Sequence, residues 1–416
     1  MWKLIYNLLI YSLFPFFAVF SLTNKKVRTN FRERMLPKPV GGNMQDPLWI
    51  HAASLGEAVI AENFITYVRP KIKNDIVVTT NTYYTRDLLR RKFGDSVKVF
   101  SLPFDFSFSI GRFTGNTRFA ALLIIETEIW PNLIWKVKSR GIPVIIINGR
   151  ISDSTIGRYK RFSFFLTSVL SSVDLVLAQS EEHARRFVML GISPSKVVNA
   201  GNLKYYRKVE GLSRTKSKDS VITFGSVKEK ELPILIPVIG GLRKDFPEIR
   251  IYIAPRELKL VPEIEKQFAD SFVVVRYSHE KQNGACGGEI VLVDTVGDLV
   301  GIYAKSKVAF VGGSLAPYGG QNVLEPLFVG TPVIFGPHID NFKAISQDII
   351  TQGAGFMVQD GAELLSRMRM VLTDEGVRQN LAEAGRAVLD MQRNVMEKAS
   401  RLVLEAVWKN SQNLSS

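Results

Sequence analysis

From Leu48 onward, short apolar runs alternate with longer stretches whose apolar positions recur at helical spacing. The runs of the first half are LWIHAA, DIVVTT, VKVFSLP, FAALLIIE, PVIIING and DLVLAQS. Those of the second are VITFGS, IRIYIAP, SFVVVRY, EIVLVD, VAFVGG and TPVIFGP. Strand–helix alternation of this kind predicts parallel sheets with helices on both faces. Between the two series, YRKVEGLSRTKSKDS has no apolar periodicity and reads as a linker. EKQNGACGGE reads as an exposed loop, and the chain beyond Ala362 is helical in pattern to its end. The expected fold is α/β: two Rossmann-like domains facing a cleft, over residues 36–207 and 221–385, joined by a linker at 208–220. A last helix, within 386–416, is expected to pack back on the first domain.

Residues 4–22 are mostly apolar, about the length that spans a bilayer core, roughly 17–25 residues. Asn7 and Ser12 interrupt the run, and Pro15 is expected to bend or divide the helix. Lys25, Lys26, Arg28, Arg32, Arg34 and Lys38 follow, against one acid, Glu33. A secretory signal would carry its basic residues ahead of the apolar core and a small-residue cleavage site behind it. Residues 1–35 therefore read as a membrane anchor with a basic flank, which suits anionic headgroups and keeps the rest of the chain cytoplasmic. Whether the segment spans the membrane or lies in one leaflet is open at this level.

Charge and composition narrow the partners. The net charge is +15 over 416 residues, which asks for an anionic partner. The basic residues do not form nucleic-acid-like blocks and no nucleic-acid-binding motif is present, so a membrane and a phosphorylated substrate are favoured. The single cysteine, Cys286, excludes a disulfide framework, and the histidines at 51, 183, 279 and 338 lack zinc spacing. No metal or other cofactor is expected.

In sheets of this type ligands lie beyond the carboxyl ends of the strands. The second half places glycine-rich turns there: Gly225-Ser226, Pro255-Arg256, Thr295 with Gly297, Gly312-Gly313-Ser314, GGQNVLEP with Asn322 and Glu325, and Gly336-Pro337-His338. A helix beginning near Gly320–Asn322 would aim N–H groups at an anion, and Arg256 suits a phosphate. Neither a P-loop nor a dinucleotide GxGxxG is present, which points to a nucleotide-sugar donor. The first half places carboxylates at its strand ends: Glu57 in SLGE, then Glu126 and Glu128 in ETEIWPN. Ser54, Gly56, Asn148, Arg150 and Lys204 stand near them as acceptor-side candidates, with Gly56 expected to permit a tight turn. His51 reads as a core group and His183 as an exposed helical one.

The chain resembles the 3-deoxy-D-manno-octulosonic acid (Kdo) transferases of lipopolysaccharide synthesis. The resemblance rests on WIHAASLGE, IIETEIWPNLI, INGRISDST, AQSEEHARRFVMLGI, GNLKY, DTVGDLVGIYAKSKVAFVGGS and GGQNVLEPLFVGTPVIFGPHIDNF, which together cover most of residues 48–345. It implies a GT-B glycosyltransferase fold and inverting transfer of Kdo from CMP-Kdo to a lipid A precursor (lipid IVA) at the inner membrane. It places the family's catalytic glutamate on Glu57 and a second acid on Glu128. Its donor-site motifs fall on Ser226, Arg256, Gly297, Gly313, Ser314, Asn322, Glu325, Pro337 and His338. The chain departs from the family's usual histidines at VKEKE, PRE (255–257) and GGQN. The alternatives are a GT-B enzyme with another nucleotide sugar and lipid, and a catalytically silent membrane-bound relative. Phe104, Phe106 and Phe108 are candidates for an acyl-chain groove.

Overall fold

The structure is a computed structural model that describes residues 1–23, 25–41, 44–206, 221–269, 271–283 and 290–413. The expected linker at 208–220 and Cys286 lie outside these residues. The chain divides into two compact units, Met1–Tyr206 with Asn394–Ser416, and Arg207–Arg393. The expected boundary at 385/386 would cut the helix Glu375–Asp390, which belongs to the second unit.

The first unit is built on seven parallel strands: β1 (Leu48–His51), β2 (Ile76–Thr80), β3 (Lys98–Ser101), β4 (Ala121–Ile125), β5 (Val144–Gly149), β6 (Leu175–Ala178) and β7 (Val197–Asn199). Their order is β3-β2-β1-β4-β5-β6-β7. β1, β2, β4 and β5 are buried at every position, which is why they are apolar at successive rather than alternate positions until polar residues enter at the carboxyl ends of β1, β2 and β5. The strand order reverses between β1 and β4, so their carboxyl ends flank a topological switch point.

The helix Val395–Asn413 completes this unit. Its Val395, Met396, Ala399, Val403 and Val407 recur at helical spacing and enter the same core as Ile60 and Phe64 of the helix Leu55–Val68.

The N-terminal helix runs unbroken from Trp2 to Thr23. Pro15 does not divide it, because Phe14 and Phe17 on either side are held against Phe106 and Phe104. Those two phenylalanines are consequently buried under the helix and do not line an open groove, whereas Phe108 is exposed.

The second unit carries β8 (Val221–Val227), β9 (Arg250–Pro255), β10 (Val274–Arg276), β11 (Ile290–Leu292), β12 (Val308–Val311), β13 (Val333–Phe335) and β14 (Gly355–Met357). All are parallel, in the order β10-β11-β9-β8-β12-β13-β14. β7 and β14 escape the apolar-run reading because each is a three-residue edge strand exposed at its last residue.

Candidate active site

Glu57 follows β1 at the switch point. Ser54 caps the helix Leu55–Val68: its Oγ accepts from the Glu57 N–H at 3.3 Å. The Glu57 side chain folds back in turn, in the manner of a capping box. Ala53 N–H donates to Oε2 at 2.7 Å and the Ser54 hydroxyl donates to Oε1 at 2.8 Å. Gly56 lies inside the helix, outside the left-handed region, so the expected tight-turn role is not what the residue performs. A Cβ there would find only Ser54 Oγ, at 3.9 Å.

The Glu57 residue is 8% exposed. Burial pushes its carboxyl up to about 7, against the pull of its two donors, and the charges of Glu126 and Glu128 push the same way. Those carboxylates arrive from the end of β4, next to β1 in the sheet. Trp130 Nε1–H donates to Glu128 Oε2 at 3.1 Å, and burial raises the Glu128 carboxyl above its ordinary value. Glu126 takes φ of 61°, a left-handed conformation that costs a side-chain-bearing residue on the order of 1–3 kcal/mol. Its carboxylate pairs with Lys204 Nζ at 2.8 Å.

Asn148, at φ 57°, is strained in the same way at the end of β5. Its Oδ1 accepts from Leu203 N–H at 2.9 Å and thereby fixes the turn that carries Lys204. Asn148 is fully buried, so the expected acceptor contact becomes a positioning role. Arg150 closes the arrangement from the next loop: Thr127 Oγ1–H donates to its carbonyl at 2.5 Å, and its N–H donates back at 3.1 Å.

These side chains line a cavity of about 230 Å³ within the first unit. Glu57, Glu126, Thr127, Glu128, Arg150, Ser152, Thr155 and Tyr159 form its wall. Thr127, Thr155 and Tyr159 were not singled out from sequence. The signal was the i,i+4 spacing of Thr155 and Tyr159, which sets both on one face of the helix Asp153–Arg161. His51 is fully buried, with Nδ1 3.1 Å from both the carbonyl and Oγ1 of Thr79, and burial holds its ring down at about 4. His183 is half-buried rather than exposed: its Nδ1 lies 3.1 Å from the Ile151 carbonyl. Among the described residues no cluster of His, Cys, Asp and Glu is arranged to hold a metal ion.

In the second unit the turns after β8, β12 and β13 come together. Ser226, at φ 57°, bulges β8 against β9. Gly320 N–H donates to the Gly313 carbonyl at 2.7 Å, and His338 N–H to the Ser314 carbonyl at 2.9 Å. Ser314 is fully buried, its Oγ donating to the Val311 carbonyl at 2.6 Å and accepting from Gly336 N–H at 2.8 Å. The expected donor contact of its side chain is thus replaced by an internal bracing role.

In the second unit sequence reasoning also missed Glu231, which lies in the VKEKE stretch. Its fully buried carboxylate accepts from Gly313 N–H at 2.7 Å and from Ser314 and Leu315 N–H at 3.0 Å each. The N–H groups of this glycine-rich turn are therefore taken by a side chain of the protein itself. The helix expected near Gly320–Asn322 is five residues, Leu324–Phe328, with Asn322 Oδ1 accepting from Leu324 N–H at 3.2 Å and Glu325 in its first turn. Pro337 is half-buried after β13, and Arg256 is exposed after β9. Thr295 Oγ1–H donates to Asp298 at 2.6 Å, and Gly297 between them takes φ of 96°, which explains the glycine.

Replacing Gly336 tests how closely this loop is packed. A Cβ there would stand 2.2 Å from the Ser314 backbone oxygen, so Gly336→Ala should lower the melting temperature of the second unit by several degrees. Unchanged melting would show that the loop relaxes freely.

A family model described as 3-deoxy-D-manno-octulosonic-acid transferase matches residues 29–207. A 3-deoxy-D-manno-octulosonic acid transferase of Bordetella pertussis is 30% identical over 357 residues, 82% of this chain and 83% of that relative. The chain belongs to the Kdo transferase family, a family of glycosyltransferases. A Kdo transferase of Haemophilus influenzae is 29% identical over 99% of this chain and the whole of the relative. A bifunctional glycosyltransferase/methyltransferase of Fusobacterium nucleatum is 31% identical over 83% of this chain, which spans only 56% of that relative's length. Among solved structures, MurG of Acinetobacter baumannii matches 86% of this chain and 99% of its own with a TM-score of 0.54 at 14% identity, a likeness of GT-B fold alone. In this Kdo transferase chain, SLGE and ETEIWPN, far apart in sequence, follow adjacent strands of one sheet.

Proposed function

We propose that the chain transfers Kdo from CMP-Kdo to a hydroxyl of a lipid A precursor at the cytoplasmic face of the inner membrane, with inversion and with Glu57 as general base. The observation that carries this reading is the buried Glu57 carboxyl, pushed up to about 7 beside a cavity walled by Arg150, Ser152 and Tyr159. A base poised near the working pH takes a proton effectively and is still ionised in a large fraction of molecules.

In the proposed step an acceptor hydroxyl docks in the cavity against Glu57. Its proton passes to the carboxylate as its oxygen bonds to the anomeric carbon of Kdo. The bond from that carbon to the phosphate oxygen breaks, and CMP leaves with the electron pair. One base and no protein nucleophile suit a single displacement. Ala53 N–H and Ser54 O–H each hold one oxygen of Glu57, which fixes the direction of the remaining lone pairs. Glu128 is assigned to orienting the acceptor, and Lys204 to holding Glu126. On the donor side Ser226, Arg256, Thr295, Gly297, Gly313, Asn322, Glu325, Pro337 and His338 are assigned to CMP-Kdo, with Arg256 on the leaving phosphate. No metal is assigned a part.

The test is incubation with CMP-Kdo and a tetra-acylated lipid A precursor, followed by mass analysis of the lipid. Wild type should add at least one Kdo. Product with UDP-sugars but none with CMP-Kdo would replace this reading with another donor specificity, and donor binding without any turnover would leave a silent relative.

A further inference from the structure

The N-terminal helix touches the first unit along its whole length. Trp2 packs on Phe165, Tyr11 on Phe106, and Phe17 on Phe104 and Phe31. Two of its polar side chains, Tyr6 and Asn7, also turn inward, whereas Lys3 and Ser12 are exposed. Tyr6 Oη–H donates to Asp105 Oδ2 at 2.8 Å, and Asn7 and Asn132 exchange amide bonds at 2.9 Å. The opposite face is apolar and exposed, with Leu4, Leu8, Leu13, Phe16 and Phe20 each more than half accessible. The helix is about 33 Å long at 1.5 Å per residue, enough to cross a bilayer core. A crossing, however, would drag the docked face, with Asp105 and Asn132, into hydrocarbon, where such groups are expensive.

A second apolar feature stands beside this helix. Phe162 is 63% exposed and Phe164 81%, on either side of the helix start at Ser163 and next to the Phe165 that holds Trp2. Exposed Arg158 and Arg161 precede them. The helix carrying these arginines, Asp153–Arg161, gives Thr155 and Tyr159 to the carboxylate cavity.

We propose that Trp2–Thr23 lies flat in one leaflet of an anionic bilayer, that Phe162 and Phe164 enter the same leaflet, and that the cavity thereby opens at headgroup level. This rests on the membrane location proposed above and specifies its geometry. The partner is a bilayer surface, by charge complementarity: exposed Lys3, Arg32, Lys38, Arg158 and Arg161 accompany the apolar face. An acceptor with its acyl chains in the leaflet would then reach Glu57 without leaving the lipid. The polar Tyr6 and Asn7 that break the apolar run are docking groups to the protein. Asn132, the partner of Asn7, lies four residues after Glu128, so lodging the helix also steadies the second acid of the site.

The test uses the full chain in a Cys286→Ser background with single cysteines at Leu4, Leu13, Phe20 or Phe164, each carrying a nitroxide. The protein is bound to vesicles of phosphatidylcholine and phosphatidylglycerol. Collision with oxygen and with an aqueous nickel chelate then reports depth. All four sites should read one shallow depth, roughly 5–10 Å below the headgroups. A depth that peaks at Leu13 and falls to opposite faces at Leu4 and Phe20 would overturn the flat geometry in favour of a crossing. Phe164 reading as aqueous would overturn the shared surface. Dipolar coupling between labels on different copies would assign the face to a second chain instead. No binding to vesicles would sink the membrane location itself. Phe162→Ser with Phe164→Ser should weaken partitioning about tenfold, and unchanged partitioning counts against their insertion. None of these readings requires turnover, so they stand apart from failure of the transferase assay.

Discussion

Glu57→Gln should lower kcat/KM for Kdo transfer by roughly 10²–10⁴-fold, the usual contribution of a positioned general base. The variant keeps the shape and an oxygen that can still accept from Ala53 N–H, so CMP-Kdo binding should survive. Wild-type activity should rise about tenfold per pH unit below the raised pKa of Glu57, about 7, and level off above it. The variant should have lost that limb. Normal turnover by the variant, or the same limb in both proteins, would remove Glu57 from the role of base.

Stability gives a second reading of the same carboxyl. Its pKa is raised on folding, from the ordinary 4.5 to about 7. Below pH 4.5 both states hold the proton and the protein has this contribution in full. Between these values the unfolded chain has released the proton while the folded protein retains it, so stability falls as pH rises through the window. The loss is on the order of 1–3 kcal/mol between pH 5 and 8. Denaturant unfolding at the two pH values should show wild type losing more than Glu57→Gln; equal losses would mean that the carboxyl ionises in the folded state as it does in the unfolded chain.

Glu231→Ala should destabilise the second unit by about 3–6 kcal/mol, the cost of leaving several buried N–H donors without an acceptor. The four donors are Lys228, Gly313, Ser314 and Leu315, at 2.7–3.0 Å from the carboxylate. Glu231→Gln keeps the volume but turns an NH₂ group toward some of those N–H groups, so it should fall between. Both should weaken CMP-Kdo binding more than they lower the rate at saturating donor, because the loop from Gly312 to Leu315 would lose its internal brace. Wild-type melting of the alanine variant would mean that the loop holds its shape unaided.

Much of this was legible in the chain. Apolar runs located twelve of the strands because strands buried on both faces must be apolar at successive positions. Glu57, Glu126 and Glu128 were legible for a related reason, since carboxylates in the segment that follows such a run lie at the carboxyl end of the sheet. What remained hidden depends on contacts between distant residues. Nothing in VKEKE says which of its acids reaches the loop at 313–315. Ser314 reads like a ligand residue until its hydroxyl is seen spent on Val311 and Gly336. Asn148 looks like an acceptor contact until its amide is found holding the turn before Lys204. Pro15 reads as a break, because a local rule cannot know that the surrounding aromatic contacts will hold the helix continuous.

The helix Val395–Asn413 has a consequence for how the protein is made. Its apolar side chains belong to the core around Ile60 and Phe64, yet they are synthesised after all of the second unit. A growing chain therefore waits for roughly 10–40 s of further translation, at ~5–20 residues per second, before its earliest domain can close. During that interval the back of the helix Leu55–Val68 is bare while the N-terminal helix has long since emerged. The first part of this unit to be made waits for the last. The nascent chain has released its N-terminal helix well before its first domain, Glu57 included, is complete.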